Sequence, residues 1–72
     1  MIYLTKINPA QNMARFYVLD VQRTLFGDWA LIREWGRIGL AGQGRRAFYG
    51  TQEAAQTALA REQERRAKRG YM

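Results

Sequence analysis

Turn-forming residues divide this chain in two. Its one proline and six of its seven glycines lie between residues 9 and 50, while the 19 residues 51–69 contain neither. Before residue 50 the breaks are closely spaced, and the runs between them are β-branched and aromatic, which predicts strands. After residue 50 an unbroken stretch of Ala, Gln, Glu and Arg predicts a helix. The first run, Ile2 to Ile7, stops at Asn8-Pro9; Pro9 cannot donate to a ladder, so residues 8–13 read as a loop. Phe16 to Gln22 follows Arg15 as a second strand. Phe26-Gly27-Asp28 supplies turn chemistry, and Trp29 to Ile38 returns antiparallel. Gly39 to Gly44 holds three glycines in six residues and reads as a loop, with Arg45 to Tyr49 as a last short strand. The expected architecture is α+β: an antiparallel sheet of about four strands with one C-terminal helix packed across it, a single domain over residues 1–72.

The helix has recognisable ends. Thr51 suits the N-cap and Glu53 the positive end. Gly70 suits the position just past the C-terminus, with Tyr71 folding back over the last turn. Ala54, Ala55, Ala58 and Leu59 make an apolar stripe for the sheet. Glu62–Arg66 and Glu64–Lys68 read as solvent-facing i,i+4 pairs worth about 0.3 kcal/mol each. Tyr3, Phe16, Tyr17, Phe48 and Tyr49 read as core or half-buried sheet residues.

Composition narrows the chemistry. With no cysteine and no histidine, disulfides, Cys/His metal sites and every imidazole or thiolate mechanism are excluded. The carboxylates are scattered without paired or metal-ligand spacing, so no enzyme, cofactor or metal is expected. Twelve Lys+Arg stand against six Asp+Glu, net +6, and ten of the twelve are arginine. Arginine's planar fork matches phosphate. The excess is uneven: residues 1–44 carry five cations and three anions, residues 45–72 seven and three. No apolar run approaches the roughly 20 residues of a membrane span, and no targeting segment is evident. A cytoplasmic protein is expected, monomeric through charge repulsion.

The most informative segment is Trp35-Gly36-Arg37-Ile38-Gly39. Period-2 geometry puts Trp29, Leu31, Arg33, Trp35 and Arg37 on one sheet face, so Trp35 offers a stacking surface beside the Arg37 cation. Gly36 lets a backbone or ligand approach closely. If that face is open, Trp29 and Leu31 are exposed too, unless the helix covers their end. Arg45-Arg46 after the glycine loop could hold a phosphate or guard a sheet edge, and alternation puts only one of them on the Trp35 side. Arg61, Arg65, Arg66, Lys68 and Arg69 make the second half of the helix basic.

This segment, with Arg15-Phe16-Tyr17 before it, Gly42-Gln43, Phe48 and Ala54-Ala55 after it, and the closing Arg69-Gly70-Tyr71, resembles the WGR domain. That family is named for the tripeptide and occurs in DNA-dependent poly(ADP-ribose) polymerases and in short bacterial proteins. The resemblance covers about residues 1–71 and implies a sheet capped by one helix. It also implies contact with nucleic acid, DNA before RNA, at strand ends or nicks. The stacking role falls on Trp35, the contact to DNA and neighbouring domains on Arg37, and a helical phosphate contact on Arg66 or Arg69. The expected nucleic-acid-binding set is therefore Trp35, Gly36, Arg37, Arg45, Arg46, Arg66 and Arg69. The polymerases' catalytic, regulatory and zinc-finger regions have no counterpart in this sequence, so only the binding surface carries over. The alternative is a protein-interaction module that docks on a separate DNA-repair or nucleotide-transfer enzyme, since Trp and Arg also anchor protein interfaces.

Overall fold

In the computed structural model, which describes all 72 residues, the expected breaks become the element boundaries. Strands β1 (Ile2–Asn8), β2 (Met13–Arg23), β3 (Trp29–Arg37) and β4 (Gln43–Tyr49) precede helix α1 (Gln52–Lys68). The strands form one antiparallel sheet in the order β1-β2-β3-β4. Helix α1 packs against β2, β3 and β4. No helix is long and apolar enough to cross a membrane.

Two connections differ from the sequence reading. The segment expected as a loop over residues 8–13 is mostly ordered: Pro9–Gln11 form a single 3-10 turn closed by Asn12 in the left-handed region. Pro9 presets the backbone of the turn, and Asn tolerates the positive φ. This lets β2 begin at Met13, three residues before the expected Phe16; β4 likewise begins at Gln43, two residues before the expected Arg45. At the β2–β3 hairpin, the Thr24 hydroxyl donates to the Asp28 carboxylate and Gly27 takes a φ of +90°.

Helix α1 is capped at both ends. The Thr51 hydroxyl accepts from the Ala54 N–H at 3.1 Å. At the other end the Tyr71 N–H donates to Arg66 O and the Gly70 N–H to Ala67 O, with Gly70 at φ +93°. That is the paired arrangement in which only glycine sits without strain. The tail then turns back: Thr5 and Met72 exchange two backbone hydrogen bonds of 2.9 Å, so residue 72 extends the sheet beyond β1.

One side of the sheet faces α1, and the core lies between them. Tyr17, Leu19 and Leu31 are buried there under Ala55, Ala58, Leu59 and Tyr71. Leu31 is thus covered by the helix, and Trp29 is half-buried beside the Arg23 guanidinium. The other side has no cover. Tyr3 and Phe48, expected to be at least half-buried, are 54% and 60% exposed, because alternation places them away from α1.

Candidate functional site

The register of the sheet assembles the site. Tyr17 pairs with Trp35 across β2–β3, Arg15 with Arg37, and Arg33 with Arg45 across β3–β4. Directly paired residues point to the same face, so two aromatics and four arginines share the helix side of the sheet. Where α1 ends, Arg66 joins them. Its guanidinium lies over the Tyr17 ring at 4.3 Å from the centroid. Arg15, Arg33, Arg37, Arg45 and Arg66 line an open cleft of about 830 Å³ around Tyr17 and Trp35, with Asn12 and Tyr71 at its rim.

The aromatic floor is rigid. Tyr17 and Trp35 stack at 5.9 Å with 15° between their planes, and Tyr71 meets Tyr17 edge-on at 5.9 Å. Tyr17 is 2% exposed, whereas Trp35 is half-buried and keeps part of its indole open to the cleft. Arg37 is steadied by a 3.4 Å hydrogen bond to Asn12 Oδ1.

Glu62 ties the helix to this floor. It is 6% exposed and accepts the Tyr17 hydroxyl at 3.1 Å on Oε1. The same oxygen accepts Arg66 Nη2 at 3.0 Å and Nε at 3.3 Å. Arg33 Nη1 lies 3.6 Å away, and Arg65 reaches Oε2 at 3.4 Å. Burial alone would raise the Glu62 carboxyl, but the hydrogen bonds from Arg66 and Tyr17 outweigh it and hold it below its ordinary value. Burial pushes the Tyr17 hydroxyl up, and the Glu62 charge pushes it further. Arg15, Arg37 and Arg45 have no carboxylate within ion-pair distance. Their positive charge is therefore uncompensated at the cleft.

Of the residues singled out in the sequence, Trp35, Gly36, Arg37, Arg45 and Arg66 come together at this cleft. Arg46 does not: its register with Ile32 puts it on the uncovered side of the sheet. Arg69, the exposed C-cap residue, lies outside the cleft lining. Gly36 admits backbone: a Cβ there would stand 2.9 Å from Gly42 Cα and 3.3 Å from the Phe16 ring.

Three residues of the site, Arg15, Arg33 and Glu62, receive no binding or structural role in it from the sequence. Arg15 and Arg33 were visible through the alternation of β2 and β3, once their register was known. Glu62 had the clearer signal, since it falls four residues after Ala58 and three after Leu59, on the apolar stripe rather than the solvent face.

Fold and site together define a small sheet-and-helix binding module with an arginine-lined aromatic cleft. The WGR domain model matches residues 1–72, and the chain belongs to the WGR domain family, modules of the nucleic-acid-binding type. It is 39% identical over 70 residues to y4dW of Sinorhizobium fredii (strain NBRC 101917 / NGR234), a protein whose name describes it as uncharacterized. That alignment covers 97% of this chain and 34% of the relative, so the chain spans about a third of the curated relative it matches. No solved structure matches the chain.

Proposed function

We propose that the chain is a non-enzymatic module that binds nucleic acid, DNA in preference to RNA, at strand ends or nicks. The observation that carries this reading is the convergence of five arginines on the open edge of the Tyr17–Trp35 stack. A base or sugar at a strand terminus stacks on Trp35, while Arg15, Arg37 and Arg45 take the neighbouring phosphates. Arg33 and Arg66, already held by Glu62, shape the recess more than they add free charge. The cleft's bounds favour an end over a continuous duplex. The C-terminal turn of α1 closes one side and the 3-10 turn another, leaving a recess, whereas a long backbone-tracking groove would stay open at both ends. The one buried carboxylate is held ionised among guanidiniums, which suits a structural tie and not proton transfer.

The test is an anisotropy titration of labelled short duplexes carrying a nick or a recessed end, against a labelled circular intact duplex of the same composition. Nicked or ended DNA should bind at least about tenfold more tightly, and Trp35→Ala should remove about 1–3 kcal/mol of that binding, the value of one stacked base. Equal affinity for circular and ended DNA, or equal losses on both, would remove the end preference. An RNA of matching structure that binds as well would remove the preference for DNA.

A further inference from the structure

The uncovered side of the sheet is chemically unlike the rest of the molecule. It presents Tyr3, Ile7, Phe16, Val18, Ile32 and Phe48, all of them exposed or half-buried. Next to it the hairpin tip holds Leu25 and Phe26 wholly out in solvent, at 101% and 96% exposure. Between tip and sheet lies an open hollow of about 570 Å³ whose lining is half apolar, with Phe26, Ile32 and Phe48, and half polar, with Arg23, Asp28 and Arg46. Only six of the 72 residues are buried, because the helix gives the sheet a core on one side alone. A face this apolar on so small a chain marks an interface.

The charges on the face say what covers it. Asp20 lies 3.6 Å from the N-terminal ammonium and accepts the Val21 N–H and the Gln22 amide, so it is satisfied within the chain. On the face of the sheet itself two charges remain, Glu34 and Arg46, both exposed and neither in an ion pair, and Arg23 and Asp28 at the edge of the hollow add one charge of each sign. The face is thus neutral, although the chain as a whole carries +6. Nucleic acid has no claim on a neutral face, and an acidic or basic partner would match only the charges of one sign. A second copy of the chain carries both signs: a two-fold axis that brings Glu34 of one copy to Arg46 of the other repeats the pair by symmetry.

We propose that this face joins two copies of the chain, sheet to sheet, with the helices outside. The area suffices: the molecule is 45 Å long and 24 Å wide, larger in profile than the roughly 800 Å² per partner of a stable interface. Repulsion does not forbid it. The excess charge belongs to the helix side, so in the pair the two arginine clefts point away from each other. They are separated by two packed sheets about 10 Å apart, comparable to the Debye length at about 0.1 M salt. The expectation of a monomer from net charge assumes that the charge is spread evenly, and it is not.

The test is sedimentation equilibrium from low micromolar to several hundred micromolar protein. The mass should rise with concentration from the 8.4 kDa of one chain to twice that value. Glu34→Arg and Arg46→Glu should each weaken association by roughly tenfold or more, and the combined swap should return it to within a few-fold of the parent. Both positions are exposed, and circular dichroism identifies any variant that has unfolded. A mass fixed at one chain throughout overturns the proposal. A dimer indifferent to either single swap, or one that the combined swap does not restore, assigns the contact to another surface and overturns it equally.

Discussion

Glu62 serves Tyr17, Arg33, Arg65 and Arg66 at once. Glu62→Gln would keep the shape of the side chain and remove its charge, leaving two guanidiniums with side chains 27% and 19% exposed facing a neutral amide. Loss of one partner from a buried ionic cluster costs several kcal/mol; here the arginines retain some water, so the expected loss is about 1–3 kcal/mol. The cost should depend on pH in one direction. The Glu62 carboxyl titrates lower in the folded chain than in the unfolded one. In that window the unfolded chain binds more protons, so the stabilisation is complete above the ordinary glutamate pKa of about 4.3 and is lost as pH falls through the lower folded value. Urea melts of parent and variant should therefore converge toward pH 2 and separate by neutrality. A gap that stays constant across this range would show that Glu62 acts by packing alone. The residue also marks a limit of the sequence. Read as an i,i+4 partner of Arg66, it looks like a solvated surface pair; only its place on the Ala55–Ala58–Leu59 stripe points inward, and the partners it finds there come from β2 and β3.

At the scale of elements, the start of the β3–β4 pairing depends on the Gly42 backbone pressing against β3. A Cβ on Gly42 would stand 2.4 Å from the Trp35 carbonyl oxygen and 2.8 Å from the Phe16 ring. The oxygen is part of a strand backbone and cannot swing aside, so Gly42→Ala should push β4 off β3 at a cost of about 2–3 kcal/mol. Gly44, two residues on, is the control: its Cβ would meet only ordinary contacts of 3.5 and 3.6 Å, and Gly44→Ala should change stability by less than about 0.5 kcal/mol. Thermal melts of the two variants separate the explanations, since equal effects would mean that loop flexibility matters and not close approach. The sequence marked this place as a glycine-rich loop without indicating which glycine was sterically required. That is a general division here. The five main elements and their order were legible, because Asn8-Pro9, Gly27-Asp28, the Gly39–Gly44 run and Gly50 interrupt the chain where backbone pairing stops. The side of the sheet taken by the helix was not, since Leu19 and Leu31 on one face and Val18 and Ile32 on the other are equally apolar. That choice decides that Arg45 joins Trp35 while Arg46 and Phe48 face away, a distinction invisible without register.

At the scale of the whole molecule, charge is sorted by face. The helix side gathers the arginines around the cleft, and the opposite side is neutral, so an anion is drawn toward one surface only. The strength of that attraction to DNA follows from the arginines that no carboxylate already holds. Arg15, Arg37 and Arg45 are without such a partner, whereas Arg33 and Arg66 share Glu62. Each phosphate neutralised releases condensed counterions, with a slope of about −0.9 per contact on duplex DNA and −0.7 on single strands. Three contacts therefore predict a log–log salt slope of roughly −3 on duplex ends and −2 on single strands. Replacing one of the three with a neutral side chain, as in Arg45→Gln, should bring the duplex slope to about −2, with affinity falling at every salt concentration. Arg46→Gln, on the neutral side, should leave the slope where it was. The measurement is anisotropy of a labelled nicked duplex across a salt series for the three proteins. A parent slope near zero would place binding outside electrostatics altogether. Equal slope changes in the Arg45 and Arg46 variants would mean that DNA does not distinguish the two faces, and the cleft would then lose its claim to be the binding surface.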